Sequence, residues 1–168
     1  RIGIKMDTVI LQFKDIKGNS LIDGYADGIV LYSFSHSVAM PMNSDTANTE
    51  RTMGRPTFSE FSITKATDQA TPALYAACAA GTKLGDATIS IGRNEGGKFM
   101  LLMKYVLSNS MISHISTGGG SSEMSDSVTI HFTQMTSQYT QQNTDSTKKG
   151  NASFGWDLAA NKAVSVSG

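Results

Sequence analysis

The chain has 168 residues with 14 basic and 14 acidic side chains, so its formal net charge is zero, and only 17% of its residues are charged. This balance argues against the basic stripe of a nucleic-acid-binding protein and the basic patch of an anionic-membrane binder, and neither partner is expected. Because 39% of the residues are apolar, the composition is that of a folded domain. The 38 Ser and Thr residues predict a surface rich in hydroxyl groups rather than in charge.

The N-terminal region contains neither the apolar core of a signal peptide nor a run long enough to span a membrane. Residues 1–5 are interpreted as an expression remnant and Met6 as the native start, which leaves residues 6–168 as a single domain. With Cys78 as the one cysteine, an intrachain disulfide framework is excluded. The chain is therefore expected to fold in a reducing cytoplasm.

Alternation of apolar and polar residues with a period of two dominates the chain and predicts β-strands. In chain order the predicted strands cover residues 8–13, 28–38, 57–65, 86–93, 97–108, 126–140, 152–158 and 163–167. In the second strand this alternation predicts two faces, one with Val30, Tyr32, Phe34 and Val38, the other with Ser33, Ser35 and Ser37.

The predicted strand 97–108 differs from the others because both of its faces are apolar. A strand of this kind lies either in the centre of a fold or against another molecule. We therefore take one of its faces as a candidate subunit interface, made of Met100, Leu102 and Val106.

A single helix interrupts the β pattern at about residues 72–80. Thr71 is the predicted N-cap, Pro72 suits the first helical position, and Gly81 ends the helix. The expected fold is mainly β, an antiparallel β barrel or sandwich with this one short α-helix. Two long loops are predicted over 39–56 and 117–125, the second with a glycine-rich hairpin tip.

Catalytic and metal-binding motifs are missing from the sequence. The three histidines, His36, His114 and His131, lack the spacing of a metal site, and Cys78 lies on an alanine-rich helix face that suits a buried thiol. Neither a nucleophile elbow nor a phosphate-binding glycine motif occurs. No enzymatic activity, metal or cofactor is therefore expected.

Several motifs in a fixed order carry a resemblance to a known family. The most extensive is a strand with Lys65 and Asp68 followed by the Thr71-Pro72 helix that ends near Gly81. The others, in chain order, are Tyr32-Ser33-Phe34-Ser35, Lys104-Tyr105-Val106-Leu107-Ser108, Ser116-Thr117-Gly118-Gly119, Val128-Thr129-Ile130-His131-Phe132 and Gly155-Trp156-Asp157-Leu158. This ordered set resembles the haemolysin-coregulated protein (Hcp) family over residues 6–164. The loop 39–56 matches that family least.

The resemblance implies a subunit of the inner tube of the bacterial type VI secretion system. Members of that family form hexameric rings that stack head to tail and are expelled by the machine, and some members hold small effector proteins in the lumen. The implied partners are other copies of the chain, the spike, sheath and baseplate components, and those effectors. The implied localisation is the bacterial cytoplasm and then, after export without a signal peptide, the extracellular space.

Two further sets of residues are expected to act in such a ring. The hydroxyl side of the second strand, Ser33, Ser35 and Ser37, is expected to line the lumen and face cargo. The loop 39–56 is expected to stack one ring on the next, through Met42, Asn43, Thr49 and Arg51.

A β-sandwich module that binds carbohydrate or another ligand is the alternative function. Such a module typically displays exposed aromatic side chains and acts as a monomer or dimer, whereas Trp156 is the only tryptophan of this chain. The oligomeric state therefore distinguishes the two functions.

Overall fold

The structure is a computed structural model that describes residues 7–42, 44, 47, 49, 52, 54–95, 97–142 and 148–166. It contains twelve strands and one helix: β1 (Thr8–Gln12), β2 (Ile29–Ser35), β3 (Val38–Ala39), β4 (Thr57–Phe58), β5 (Phe61–Ala66), α1 (Thr71–Ala80), β6 (Ala87–Glu95), β7 (Lys98–Ser108), β8 (Met111–Gly118), β9 (Ser125–His131), β10 (Gln134–Gln142), β11 (Lys148–Asp157) and β12 (Lys162–Ala163). None of the helices in this described part is long and apolar enough to cross a membrane.

Ten strands form one antiparallel sheet in the order β12-β11-β10-β7-β6-β1-β2-β5-β9-β8, and β3 pairs with β4 beside it. Within the described residues β12 and β8 lie at the two edges and do not pair, so the sheet does not close into a barrel. Rings from distant strands nevertheless meet, since Phe61 of β5 lies 5.6 Å from Tyr105 of β7. The sheet thus folds over a single core and confirms the sandwich form of the expected fold.

The core collects apolar side chains from both halves of the sheet and from the helix. Its fully buried members come from β1, β2, β5, α1, β6, β7 and β9: Leu11, Ile29, Phe61, Leu74, Ile89, Leu107 and Ile130. Burial of such side chains contributes roughly 1.5–3 kcal/mol each relative to exposure. This core fixes the strands that carry the candidate functional residues.

The helix is confirmed but its N-cap is not the expected one. Ala70 occupies the N-cap position, Thr71 is the first helical residue, and Gly81 ends the helix with a φ of 62°. Asp68 accepts a hydrogen bond from the free backbone N–H of Ala70 at 3.0 Å. The Thr71 hydroxyl is instead directed towards a buried ion pair between Lys65 and Asp126.

That ion pair anchors the helix to the sheet. Lys65 Nζ lies 2.8 Å from Asp126 Oδ2, and both side chains are 0% exposed. Lys65 also donates to Asp68, while hydroxyls of Thr67, Thr71 and Thr117 donate to Asp126; these contacts are 2.6–2.9 Å long. Burial alone would raise the pKa of Asp126, but these hydrogen bonds outweigh it and lower that pKa to about 2.

Four strand pairings among the described residues show a register shift, and those of β2 with β5 and of β6 with β7 change which side chains share a face. In β2 the register shifts between Leu31 and Ser33, which leaves Tyr32 as the extra residue. Opposite Ile91 and Gly92 of β6, the extra residue is Leu102 of β7. A Cβ at Gly92 would overlap the carbonyl oxygen of Met100 and lie 2.6 Å from the Phe99 ring, so only glycine fits there. Strict alternation therefore fails in β2 and in β7.

The predicted strand 126–140 is two strands in the structure. β9 ends at His131 and β10 begins at Gln134, and the Thr133 N–H donates to the carbonyl of Ser108 instead of continuing the β9 ladder. The chain crosses here from one end of the sheet to the middle, because β9 pairs with β5 and β8 whereas β10 pairs with β7 and β11. Because the alternation of apolar and polar residues continues through this crossing, the sequence pattern predicts a single strand.

Candidate functional site

Four neighbouring strands carry hydroxyl groups on the side that faces away from the core. The register places Ser33 beside Thr64, and Thr64 beside Ser127. The two rows of paired residues across β2, β5, β9 and β8 are Ser33, Thr64, Ser127 and Ser116, and then Ser35, Ser62, Thr129 and His114. These eight residues, all exposed or half-buried, are called the hydroxyl face.

Two of the three predicted lumen residues lie on the hydroxyl face. Ser33 Oγ is 2.5 Å from Thr64 Oγ1, a hydrogen bond that links β2 to β5, and Ser35 pairs with Ser62. Ser37 is exposed but follows the end of β2, where its backbone N–H donates to the hydroxyl of Ser59 at 2.7 Å. The structure therefore brings Ser33 and Ser35 together and places Ser37 at the join to the small sheet.

The outward position of Ser33 comes from the bulge in β2 and not from simple alternation. Leu31 is buried, Tyr32 and Ser33 are both exposed, and Val30 is 41% exposed. The expectation that Val30, Tyr32, Phe34 and Val38 share one face opposite the serines is therefore wrong. The extra residue in the bulge turns Tyr32 outward beside Ser33.

The hydroxyl face carries no carboxylate, amine or guanidinium among its eight residues. A charged group occurs at one end, where Tyr32 donates a hydrogen bond of 2.6 Å to Glu123 from the loop between β8 and β9. This hydrogen bond to Glu123 raises the pKa of Tyr32. Such a surface offers a partner many weak, uncharged hydrogen bonds, each worth about 1 kcal/mol or less in water.

A second surface is apolar and lies where the sheet extends beyond the core. Tyr139 of β10 pairs with Met103 of β7, on the same side of the sheet as the buried Met135 and Leu107. Phe154 of β11 lies on that side too, and Tyr139 and Phe154 are 49% and 44% exposed. Together with Phe34, His36 and Tyr105, the residues Met103, Tyr139 and Phe154 are called the apolar face.

His36 lies inside a group of aromatic rings at the edge of the apolar face. Its imidazole stacks on Phe61 with 5.2 Å between centroids and meets Tyr105 edge-on at 4.9 Å. Phe34 stacks on the other side of the group, 5.6 Å from Phe61 and 6.5 Å from His36. Burial lowers the pKa of His36 and raises the pKa of Tyr105.

The predicted subunit-interface residues do not form one apolar patch. Val106 lines a polar groove of about 370 Å³ on the side of the sheet opposite the core, beside Lys104, Thr136 and Gln138. Met100 and Leu102 are half-buried, and Met100 pairs with Arg93 near the bulge. Their role as an interface stays a prediction.

The predicted stacking loop lies partly outside the described residues. Asn43 and Arg51 are among the residues not described, whereas Thr49 is exposed and Met42 is 60% exposed. Met42 pairs with Thr52 through an isolated antiparallel bridge, which brings the two ends of the loop together. The role of these four residues in stacking also stays a prediction.

The described residues contain no cluster of three or more His, Cys, Asp or Glu side chains that could hold a metal ion. Cys78 is half-buried on α1. The features that the structure brings together are therefore surfaces, one hydroxyl-rich and one apolar.

Some of these surface residues could have been found from the sequence. Thr64, Ser127 and Thr129 alternate with buried residues on predicted strands, so period-two counting indicates an outward hydroxyl row. Tyr139 lies four residues after the buried Met135 in β10, so the same period of two places both side chains on one face of the strand. The sequence around His36 indicates only its contact with Phe34, since its other ring partners, Phe61 and Tyr105, come from β5 and β7.

The chain is similar to known proteins of one secretion system. A family model described as "Type VI secretion system effector, Hcp" matches residues 10–139. Protein hcp1 of Pseudomonas aeruginosa is 30% identical over 105 residues, which span 61% of this chain and 65% of that protein.

Solved structures of similar fold cover nearly all of the chain. A structure of a type six secretion system protein superposes with a TM-score of 0.87 at 20% identity, covering 95% of this chain and 100% of the other. Hcp1 from Salmonella typhimurium gives a TM-score of 0.78 at 18% identity, covering 94% and 99%. At such identities the likeness establishes the fold, and the match to the family model establishes the relationship. The chain belongs to the haemolysin-coregulated protein family of the bacterial type VI secretion system.

Proposed function

We propose that this chain is a structural subunit of the type VI secretion inner tube, in which six copies form a ring and rings stack head to tail. The observation that carries the proposal is the family match over residues 10–139. A contact that uses two different surfaces of each copy generates a ring when the rotation closes. The zero net charge supports the proposal, since copies of a neutral chain meet without long-range repulsion.

The hydroxyl face is proposed to line the lumen of the ring and to hold small effector proteins. Its support is chemical: seven of the eight residues in the two rows across β2, β5, β9 and β8 are Ser or Thr, and none of the eight is a carboxylate, amine or guanidinium. Such a wall binds weakly and stays hydrated, which suits cargo that must be retained and later released. Ser33 and Ser35 lie on this face, whereas Ser37 lies at its end.

The apolar face is proposed as a contact between neighbouring protomers. Tyr139 and Phe154 leave nearly half of their surface in solvent, and aromatic side chains are enriched at the centres of protein interfaces. The residues Met100, Leu102 and Val106 of β7 are proposed as a separate contact, since Val106 lies on the opposite side of the sheet from the apolar face.

The proposal also includes partners and localisation. The ends and outer surface of a stacked tube would meet the spike, sheath and baseplate components of the machine. The chain would reside in the bacterial cytoplasm until the machine exports it. Its proposed role is mechanical, with no catalytic activity.

The test is the mass of the assembly in solution, measured by size-exclusion chromatography with light scattering at neutral pH. The proposal expects a species of six protomers. A protein that remains a single protomer under these conditions would contradict the proposal and favour the alternative of a monomeric binding module.

A further inference from the structure

A hydrogen-bonded carboxylate lies at each end of the hydroxyl face. At one end, beyond the first of its two rows, Glu123 Oε1 accepts a hydrogen bond of 2.6 Å from Tyr32. At the other end, beyond the second row, Glu60 Oε2 accepts a hydrogen bond of 2.7 Å from Ser113. The two ends lie roughly 20 Å apart, because the seven residues of β9 run between them at about 3.3 Å per residue.

The donor to each carboxylate is the extra residue of a β-bulge. The register of β2 with β5 skips Tyr32, and the register of β8 with β9 skips Ser113. A bulge takes a side chain out of the regular alternation, and both of these side chains are exposed. The same kind of local geometry therefore positions a carboxylate at both ends of the hydroxyl face.

Both carboxylates are accessible to a partner, since Glu60 and Glu123 are exposed. In each hydrogen bond a single carboxylate oxygen accepts, and a carboxylate can accept about four hydrogen bonds in all, so each group keeps room for the donors of a Lys or Arg side chain. Because Ser113 and Tyr32 already hold the carboxylates in place, less side-chain entropy is lost when a partner binds them.

The charge around the hydroxyl face is negative, although the whole chain is neutral. Lys65 is the one Lys or Arg residue of β2, β5, β9 and β8. It is buried, and its amine lies 2.8 Å from Asp126 and 2.9 Å from Asp68, so two carboxylates already surround it. Within these four described strands, no other Lys or Arg is present to neutralise Glu60 or Glu123.

We infer that the cargo of the hydroxyl face is a basic protein, whose exposed Lys or Arg side chains dock on Glu60 and Glu123 while the hydroxyl rows contact its uncharged surface. The inference rests on the proposed function, in which the ring repeats both carboxylates in every protomer around the lumen. An uncharged wall alone does not discriminate between acidic and basic proteins. The two carboxylates supply that discrimination, because they attract a basic protein and repel an acidic one.

Salt separates the two parts of this contact. Exposed charges are screened over about 10 Å at 0.1 M salt and over about 3 Å at 1 M salt, so the contribution of Glu60 and Glu123 should fall as the salt concentration rises. Hydrogen bonds from the uncharged hydroxyl rows should change much less. A preference for basic cargo is therefore expected in low salt and should disappear in high salt.

The experiment measures the binding of three fluorescent peptides to the assembled protein by fluorescence anisotropy. Each peptide has blocked termini and about six Gly and Ser residues between two end residues, a span of roughly 20 Å or more when extended. The end residues are Arg in the first peptide, Gln in the second and Glu in the third. Because His131 lines a small cavity with Glu60, binding is measured at about pH 8, above the range in which histidines ordinarily titrate.

The variants are Glu60→Gln, Glu123→Gln and the double variant, each of which keeps the size of the side chain and an oxygen acceptor while removing the charge. Asp86→Asn is the matched control, because Asp86 is exposed and lines the polar groove on the opposite side of the sheet. Circular dichroism and light scattering establish that each variant is folded and has the assembly mass of the wild type.

The inference expects the wild-type protein, in about 50 mM salt, to bind the Arg peptide about tenfold more tightly than the Gln peptide and to bind the Glu peptide most weakly. Each single Gln variant should weaken binding of the Arg peptide by about two- to fivefold. The double variant should lose the preference, whereas Asp86→Asn should keep it.

Equal affinities of the wild-type protein for the Arg and Glu peptides in low salt would overturn the inference and leave the proposed function standing. An Arg preference that survives in the double variant would do the same, since the charge would then lie elsewhere. A mass of one protomer in light scattering would instead contradict the proposed ring, and with it the lumen that this cargo occupies.

Discussion

Ser33 shows how a single extra residue decides the chemistry of a surface. The bulge between Leu31 and Ser33 turns Tyr32 and Ser33 outward together, and Ser33 then bonds Thr64 across the strands. Without this bulge, alternation from the buried Leu31 would turn Ser33 towards the core and interrupt the hydroxyl row. The lumen role proposed for Ser33 therefore depends on local backbone geometry.

Replacing Ser33 by glutamine tests that role at the residue scale. The longer side chain would protrude from the hydroxyl face and displace cargo, so co-purification of an effector should fall by about tenfold or more while assembly mass stays the same. Ser153→Gln is the matched control, because Ser153 is exposed on β11, at the far end of the sheet. Unchanged effector retention in Ser33→Gln would show that Ser33 does not contact cargo in the lumen.

Lys65 is the residue on which the attachment of the helix depends. Replacing it by methionine keeps most of its volume but leaves the buried carboxylate of Asp126 without its cation. Breaking a buried pair in this way is expected to cost about 3 kcal/mol or more in the free energy of unfolding. Urea unfolding measures this loss, and Lys83→Met, at an exposed position, should stay within about 0.5 kcal/mol of the wild type. A loss below about 1 kcal/mol for Lys65→Met would show that the pair does not stabilise the fold.

The low pKa of Asp126 makes part of the stability depend on pH. Since this pKa falls from its usual value of 3.8 to about 2 in the folded chain, the stabilisation is complete above pH 3.8 and is lost as the pH falls towards 2. The difference amounts to about 2 kcal/mol. Urea unfolding between neutral pH and about pH 2 should show this loss in the wild type and in Asp86→Asn, and a smaller loss in Asp126→Asn. An equal loss of unfolding free energy at low pH in all three proteins would contradict the assignment of this loss to Asp126.

Among the elements, the helix and the long strands are predictable from the sequence, but their exact pairing is not. Pro72 and Gly81 mark the helix locally, so its predicted and observed bounds differ by one residue. The N-cap is missed because the Thr71 hydroxyl has a stronger partner in Asp126, which lies 55 residues away in sequence. The bulges in β2 and β7 are missed because a period of two carries no information about an unpaired residue.

The loop between Met42 and Thr52 is the structural element whose proposed role in ring stacking can be tested by shortening it. These residues pair, so a short Gly-Ser linker in place of residues 43–51 should leave the strands on either side undisturbed. If the loop stacks one ring on the next, the shortened protein should still form rings but should no longer form tubes under conditions where the wild type does. Electron microscopy counts stacked and single rings, and tubes of normal length from the shortened protein would exclude a stacking role.

For the whole molecule, composition predicts the class of surface better than it predicts the sites. The balanced charges and the abundance of Ser and Thr indicate an uncharged, hydroxyl-rich exterior, and the strands β2, β5, β9 and β8 carry such a face. The apolar face is not predictable in this way. Its six residues are brought together from β2, β7, β10 and β11 and from the segment after β2, by a fold that crosses the core.

The central claim is that the working unit is a ring, and electron microscopy of the purified wild-type protein at neutral pH tests it most directly. The account predicts closed particles of six protomers with an open central hole, viewed end-on, and stacks of such rings viewed from the side. Compact particles the size of one protomer, or dimers without a hole, would contradict it.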